Sequence, residues 1–343
     1  METAGKQDLP LDRLQAWLRA HVEGFRGPIA AERFSGGQSN PTYKLSAGSG
    51  EYVLRRKPPG PLLPSAHAVD REFRVMRALE CTPVPVPRVH ALCEDDAVIG
   101  SAFYLMQHLD GRIFWDQRLP DIAPSARAAM FDSMNAVIAA LHMVDCQAVG
   151  LGDFGRPGNY MARQIARWSR QYRASETEMI AAMDSLIEWL PQHLPPEALP
   201  AIVHGDYRMD NLVFDKTEPR VIGVLDWELS TIGDPIADFA YHCLTWRVTP
   251  ELFRGLAGID FTGLGIPDEP AYVAAYCRRT GRDAIPGWEF YMVYSLFRIA
   301  AILQGIAKRA IDGTAAAADA ADQGRLARPL AEQAWALAQS LGG

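Results

Sequence analysis

Apolar positions at Leu11, Leu14, Leu18 and Val22 recur at the three- and four-residue spacing of one helix face, and Pro10 suits a first helical turn. The 24–28 segment ends that helix. Three runs with strand character follow at 29–34, 42–46 and 51–56, divided by turn-rich stretches at 35–41 and 47–50. A proline-rich loop at 57–64 leads into a helix predicted over 68–79. Pro83, Pro85 and Pro87 alternate, which excludes a helix from 81–87 and forces an extended connection. Apolar runs at 88–94 and 102–106 complete about five strands around one helix. Asp110-Gly111 is the first strong break after them.

The period changes from Pro124 onward. Helices are predicted over 125–142, 160–174 and 176–190, and a compact strand-and-loop section over 201–225. Helical spacing returns at 236–246, 271–279, 288–310 and the alanine-rich 314–341, whose Asp, Arg, Leu and Trp positions favour a packed helix over disorder. There is no internal repeat. The pattern is α+β: a small, mostly β part followed by a larger, mostly α part.

Composition narrows the class of function. At about 150 residues per domain, 343 residues make roughly two units. With 48% hydrophobic and 22% charged residues the chain can bury a sizeable core, which excludes disorder and a disulfide-rich miniprotein. A net charge of −7 speaks against a general nucleic-acid binder. No uninterrupted run approaches 18 apolar residues and the first eight residues lack the order of a secretory signal, so no membrane association is expected. Five cysteines without a CxxC pair read as reduced thiols of a cytoplasmic protein.

The most informative segment is His204-Gly205-Asp206-Tyr207-Arg208-Met209-Asp210-Asn211, continuing into the apolar Leu212-Val213-Phe214. A loop leaving a strand can present a carboxylate that accepts a hydroxyl proton, while an amide oxygen five residues later reaches a divalent ion. An Asx-type turn, in which Asp206 and Asn211 satisfy only local backbone, gives the same pattern. Beyond it, Val221-Ile222-Gly223-Val224-Leu225-Asp226-Trp227-Glu228 is a β-rich run ending in an acid, suited to a hard cation at a strand tip. Asn211 and Asp226 together with nucleotide phosphates would satisfy Mg²⁺; a turn or helix cap is the plainer use of Asp226.

These segments resemble the aminoglycoside phosphotransferase-like family, relatives of protein kinases and choline kinases, whose catalytic-loop and metal-loop signatures are HGDxxxxN and the following LDWE. Gly233-Asp234-Pro235-Ile236-Ala237-Asp238 resembles the family's GDPxxDLA segment, with Phe239 in place of Leu. The resemblance implies a two-lobed, protein-kinase-like fold. A small N-terminal lobe of antiparallel sheet and a helix spans 1–108, and a larger, mostly helical catalytic and acceptor-binding lobe spans 109–343. It also implies ATP and Mg²⁺, Asp206 as the catalytic carboxylate, and Asn211 and Asp226 as metal ligands. Asp234 and Asp238 are expected to cap a helix and brace the catalytic loop, with His204 as an orienting residue.

Within such a lobe the nucleotide loop is Ser35-Gly36-Gly37-Gln38-Ser39-Asn40, where Gly36 and Gly37 allow close approach of backbone to phosphate, although a plain hairpin turn fits equally. Tyr52-Val53-Leu54-Arg55 occupies the place of the kinase VAIK strand. Strand alternation puts Val53, Arg55 and Lys57 on one face. The family's usual residue is Lys, and choline-kinase-like members resemble this chain in using Arg. Arg55 is expected to hold the phosphates and Glu72 as its carboxylate partner, with Lys57 second choice. Phe103 to Gly111 resembles the strand-to-hinge connection, in which the Gln107 carbonyl and Leu109 amide would read the adenine edge.

A sharper resemblance is to the phosphotransferase-like domain associated with acyl-CoA dehydrogenases. It is carried by Gly37 to Tyr43, Val53 to Gly60, Leu62 to His67 and Arg71-Glu72-Phe73-Arg74-Val75. This implies a hydroxyacyl-CoA acceptor of 4-hydroxyacyl type and an acyl-CoA dehydrogenase as pathway partner, with no flavin in this chain. Charge bears on the acceptor independently: from Trp246 onward there are ten acids and ten bases, not the acid-lined trough a polycationic aminoglycoside needs. The basic clusters Arg278-Arg279-Arg282 and Lys308-Arg309 fit solvated helix surface better than a ligand site. Tyr291, Tyr294 and Arg298 are acceptor-pocket candidates whose aromatics core packing explains as well. The alternatives are an aminoglycoside or other small-alcohol kinase, and a non-catalytic nucleotide-binding regulatory module.

Overall fold

The computed structural model describes residues 9–34, 40–58, 68–156, 158–314 and 319–342. The chain divides into two compact units, residues 1–111 with 222–228 and residues 112–221 with 229–343. A single division after residue 108 assigns 222–228 to the second unit; they join the first instead, where the Val224 amide donates to the Pro85 carbonyl at 2.9 Å.

In the first unit, α1 (Leu11–His21) precedes β1 (Ile29–Arg33), β2 (Thr42–Ala47) and β3 (Gly50–Arg56). Next come α2 (Val69–Leu79), β4 (Val89–Cys93), the single-turn α3 (Asp96–Ile99) and β5 (Phe103–Gln107). The strands form one antiparallel sheet in the order β1-β2-β3-β5-β4. Alternation along β3 sets its two faces. Tyr52 and Leu54 join Leu14 and Leu18 of α1 in a core with Leu45, Phe103 and Leu105. Burying each such leucine contributes about 1.5–3 kcal/mol. Val53 and Arg55 project from the opposite face. There α2 buries Val69, Glu72, Val75, Met76 and Leu79, so that a glutamate occupies a position of the helix's apolar stripe.

The second unit begins with α4 (Pro124–His142), α5 (Tyr160–Ala174) and α6 (Ala181–Trp189). Helix α6 starts five residues later than its apolar pattern suggests, because Gln304 Nε2 donates to the Ser175 carbonyl and the Thr177 hydroxyl and fixes that stretch as a connection. The short strands β6 (Ala201–Val203), β7 (Leu212–Phe214), β8 (Val221–Val224) and β9 (Thr231–Gly233) follow, with β6 and β9 antiparallel. Then come α7 (Pro235–Cys243), α8 (Pro250–Phe253), α9 (Glu269–Thr280), α10 (Trp288–Ile311), α11 (Ala320–Arg325) and α12 (Ala327–Ser340). The single helix expected over 314–341 is divided at Leu326, since Pro329 has no amide to donate to the Arg325 carbonyl.

By length and composition α10 is long and apolar enough to cross a membrane, although no unbroken apolar run marks it. It is a core helix of this unit, 83% buried over that stretch and packed on α5, α7, α11 and α12. All five cysteines are free thiols.

Candidate active site

In the first unit the chemistry gathers around one carboxylate. Glu72 is 1% exposed and accepts from Arg55 Nε (3.2 Å to Oε1, with Oε2 3.0 Å away), Asn40 Nδ2 (2.9 Å) and the Tyr104 hydroxyl (3.0 Å). Sheet register supplies two of these partners, because Arg55 of β3 stands directly opposite Tyr104 of β5. Arg55 Nη2 also donates to Asp226 Oδ1 at 2.6 Å, and Glu228 lies 3.5 Å away. Burial works against the charge of Arg55 but is outweighed by Glu72, Asp226 and Glu228, leaving the guanidinium above its ordinary pKa. Burial, reinforced by Asp226 and Glu228, pushes Glu72 up to about 7 against the pull of Arg55. Lys57 does not share the cluster; its Nζ lies 3.7 Å from Asp70.

Asp226 has a left-handed backbone (φ 64°), a conformation that costs a side-chain-bearing residue energy. Its carboxylate is 33% exposed, and among the described residues only Oδ1 is engaged. A strained carboxylate with one oxygen left over suits a hard cation. The other sequence candidates of this unit fare differently. Gly36, Gly37, Gln38 and Ser39, together with residues 59–67 of the acyl-CoA-dehydrogenase-associated pattern, lie outside the described residues. Asn40 is buried and spends its amide on Glu72. Gln107 donates its amide to the Arg88 carbonyl (2.8 Å), and Leu109 lies half-buried in the irregular segment beyond β5.

In the second unit the loop after β6 is fixed by its own sequence. Gly205 has φ 82°, and a Cβ there would come within 2.8 Å of the Leu229 carbonyl oxygen, so only glycine fits. The fully buried Asp238 accepts from the His204 and Gly205 amides (both 2.8 Å) and lies 3.2 Å from His142 Nε2. Burial opposes that charge, yet His142 and the amides hold Asp238 below its ordinary pKa. Asp234 caps α7 through the Ile236 and Ala237 amides and accepts from the Tyr291 hydroxyl. His204 Nδ1 receives the Asp206 amide at 3.2 Å.

The loop thus presents Asp206. Asn211 Nδ2 donates to the Asp206 carbonyl (2.8 Å) and to Oδ2 (3.1 Å), which turns the amide oxygen of Asn211 away as a spare acceptor. Arg208 Nε lies 3.1 Å from Asp206 Oδ1, and its Nη2 donates to Asp210 at 3.1 Å. Arg254 Nη1 approaches Asp210 at 3.4 Å. Burial, with the nearby Asp206 carboxylate, pushes the pKa of the Tyr241 hydroxyl well up, so it remains a donor. Behind Tyr241, Arg298 stacks at 4.2 Å and donates to the Gly205 carbonyl.

Sequence patterning overlooked Tyr104, Arg208 and Tyr241. Only Arg208 carried a usable signal, as a cation between two carboxylates of the same loop. The helical-lobe basic clusters are partly structural: Arg279 pairs with Asp132 and Asn135, and Lys308 with Asp312.

A five-stranded antiparallel sheet carrying an Arg–Glu pair, and a mostly helical unit carrying the braced HGDxxxxN loop, define a phosphotransferase of kinase-like fold. The chain belongs to the phosphotransferase enzyme family, whose sequence model matches residues 30–294. It is similar to the mouse protein acyl-CoA dehydrogenase family member 10, 47% identical over 97% of this chain and 32% of that relative. The chain spans under half the length of the curated relatives it matches. A crystal structure from Ralstonia eutropha JMP134, of a protein provisionally assigned as an aminoglycoside phosphotransferase, superposes with a TM-score of 0.90 at 56% identity, covering 97% of this chain and 99% of that one. The ADP and hygromycin B complex of aminoglycoside phosphotransferase APH(4)-Ia shares the fold, with a TM-score of 0.61 at 16% identity over 96% and 98% of the two chains.

Proposed function

We propose that this chain transfers the γ-phosphoryl group of ATP to the hydroxyl of a hydroxyacyl-CoA, of 4-hydroxyacyl type. The kinase reading is carried by the Asp206 carboxylate, anchored on one side by Asn211 and on the other by Arg208. In the reaction the acceptor oxygen bonds to the γ-phosphorus and the bond to the β,γ-bridging oxygen breaks. ADP leaves, and the hydroxyl proton passes to Asp206 and on to water. Arg55, set by Glu72, neutralises the α- and β-phosphates. Asn211 and Asp226 each offer a hard oxygen donor that would suit Mg²⁺, which when bound would supply charge neutralisation at the phosphates.

The acceptor class is supported by charge. The two carboxylates at the mouth of the loop, Asp206 and Asp210, are matched by Arg208 and Arg254, so no surplus of acid awaits a polycation. The names of the relatives point the same way, toward acyl-CoA metabolism with an acyl-CoA dehydrogenase as pathway partner. Five free thiols suit a reducing, cytoplasmic setting. The test is mass-spectrometric detection of phosphorylated product after incubation with ATP, Mg²⁺ and a panel of hydroxyacyl-CoA esters, free hydroxy acids and aminoglycosides. Phosphorylated CoA esters are expected. Product only from kanamycin or hygromycin B would overturn the acceptor assignment, and ATP binding without product from any hydroxyl compound would overturn the kinase.

A further inference from the structure

An exposed aromatic side chain is tied to the catalytic loop, and the phosphoryl-transfer chemistry leaves it unused. In the segment that opens the second unit, Phe114 packs edge-on against Phe214 of β7, with ring centroids 5.6 Å apart. Its neighbours Ile113 and Trp115 are 44% and 57% exposed. Exposed apolar surface beside reacting groups is the kind that marks a ligand or partner site. Trp115 is also held in place. The Arg254 guanidinium lies over one face of the indole, 5.0 Å from the ring centroid, and its Nη1 lies 3.4 Å from Asp210. Asp210 accepts from Arg208, which reaches Asp206 at 3.1 Å. Arg254 closes α8 with a left-handed backbone (φ 50°), a conformation that costs a side-chain-bearing residue energy. With Arg254 over one face and more than half of its surface exposed, the indole offers its other face to solvent.

We propose that the free face of Trp115 stacks the adenine of the CoA acceptor. This rests on the reading of the acceptor as a CoA ester whose hydroxyl meets Asp206. Four successive contacts, Asp206 to Arg208, Arg208 to Asp210, Asp210 to Arg254 and Arg254 to Trp115, bound the distance between the carboxylate and the indole. The two therefore stand within the span of an extended acyl-pantetheine arm, with the hydroxyl at one end and the nucleotide at the other. An adenine has a π-face to lay on the indole, which the saturated rings of an aminoglycoside lack. The ATP adenine is assigned to the Gln107–Leu109 stretch of the first unit, so the indole is left to the acceptor. Arg254 acts as a positioning residue, fixing the ring plane before the ligand arrives.

The experiment compares a 4-hydroxyacyl-CoA ester with the same acyl group on pantetheine, which lacks the adenine nucleotide, in wild type, Trp115→Ala and Trp115→Phe. Stacking one base on an aromatic ring is worth about 5- to 150-fold in affinity, so wild type is expected to show at least a five-fold lower KM for the CoA ester. Trp115→Ala should raise the CoA-ester KM about ten-fold and leave the pantetheine-ester KM and the ATP KM within two-fold of wild type. Trp115→Phe, which keeps a ring, should retain most of the preference. The ratio of the two esters is read within one preparation and does not depend on the folded fraction. A ratio unchanged in Trp115→Ala, whether both KM values stay or rise together, would overturn the proposal. Equal KM values for the two esters in wild type would overturn it too, and both results leave the acceptor assignment standing. Phosphorylation of an aminoglycoside and of neither ester would instead remove that assignment, and the proposal with it.

Discussion

Arg55 Nε on β3 lies 3.0 Å from Oε2 of Glu72 on α2, and the same guanidinium reaches Asp226 at 2.6 Å. One cation therefore ties a strand, a helix and the Leu225-Asp226-Trp227 turn of the first unit together. Breaking a buried pair by removing one partner costs about 3–5 kcal/mol, because the other charge is left without its match. In Glu72→Ala, Asp226 and Glu228 remain to compensate Arg55, so the loss should sit near the lower end, about 3 kcal/mol, with a raised ATP KM. Arg55→Lys keeps the charge and loses the fork that serves two carboxylates at once, and turnover should drop about ten-fold or more. Urea unfolding and ATP kinetics check both; unchanged midpoint and KM in Glu72→Ala would remove its bracing role.

How legible this pair is in the sequence follows from which contacts are local. Alternation in β3 points Arg55 away from Tyr52 and Leu54, and a glutamate in the apolar stripe Val69, Val75, Met76, Leu79 marks a buried charge that needs a partner. Both signals are one-dimensional. Tyr104 reaches Glu72 only because β5 pairs with β3 in the register that sets it opposite Arg55, and no turn residue or periodicity encodes that order. Arg298 reaches Tyr241 and the Gly205 carbonyl in the same way, through the docking of α10 and α7 behind the catalytic loop. The HGDxxxxN spacing was readable because all of its chemistry lies within one loop.

Asp206→Asn keeps the size of the side chain and its capacity to accept from Asn211, and removes the proton acceptor. General acid–base groups contribute about 10²–10⁴-fold, and turnover should fall in that range with ATP affinity retained. Steady-state kinetics beside nucleotide titration makes the check. Activity within a few-fold of wild type would show that Asp206 is not the base.

Acid should loosen the second unit through His242. This imidazole is buried beside Tyr272, whose hydroxyl lies 2.7 Å from Nε2, and burial lowers its pKa to about 4 from an ordinary 6.5. The native state thus favours the neutral ring. The contribution to stability is present above about pH 6.5 and is lost as pH falls from there toward 4, and a shift of this size corresponds to about 3 kcal/mol. Asp238, held below its ordinary pKa, adds a loss at lower pH in the same direction. Unfolding free energy measured between pH 7 and 4 should decline more steeply in wild type than in His242→Gln. Parallel curves would mean that His242 titrates normally in the folded protein.

Tyr241 and Arg298 form the support behind the base. Arg298 is 8% exposed, and among the described residues no carboxylate pairs with it. Its guanidinium instead stacks on Tyr241 (4.2 Å) and Trp168 (5.4 Å) and donates to the Gly205 carbonyl. A lysine cannot stack as a plane while donating along that plane, so Arg298→Lys should lower kcat about ten-fold or more while leaving the ATP KM nearly unchanged. Tyr241→Phe isolates the other link. The variant removes only the hydroxyl that lies near the base, and kcat should fall several-fold with the ATP KM nearly unchanged. A kcat within two-fold of wild type in a folded Tyr241→Phe would show that the hydroxyl does not support the base.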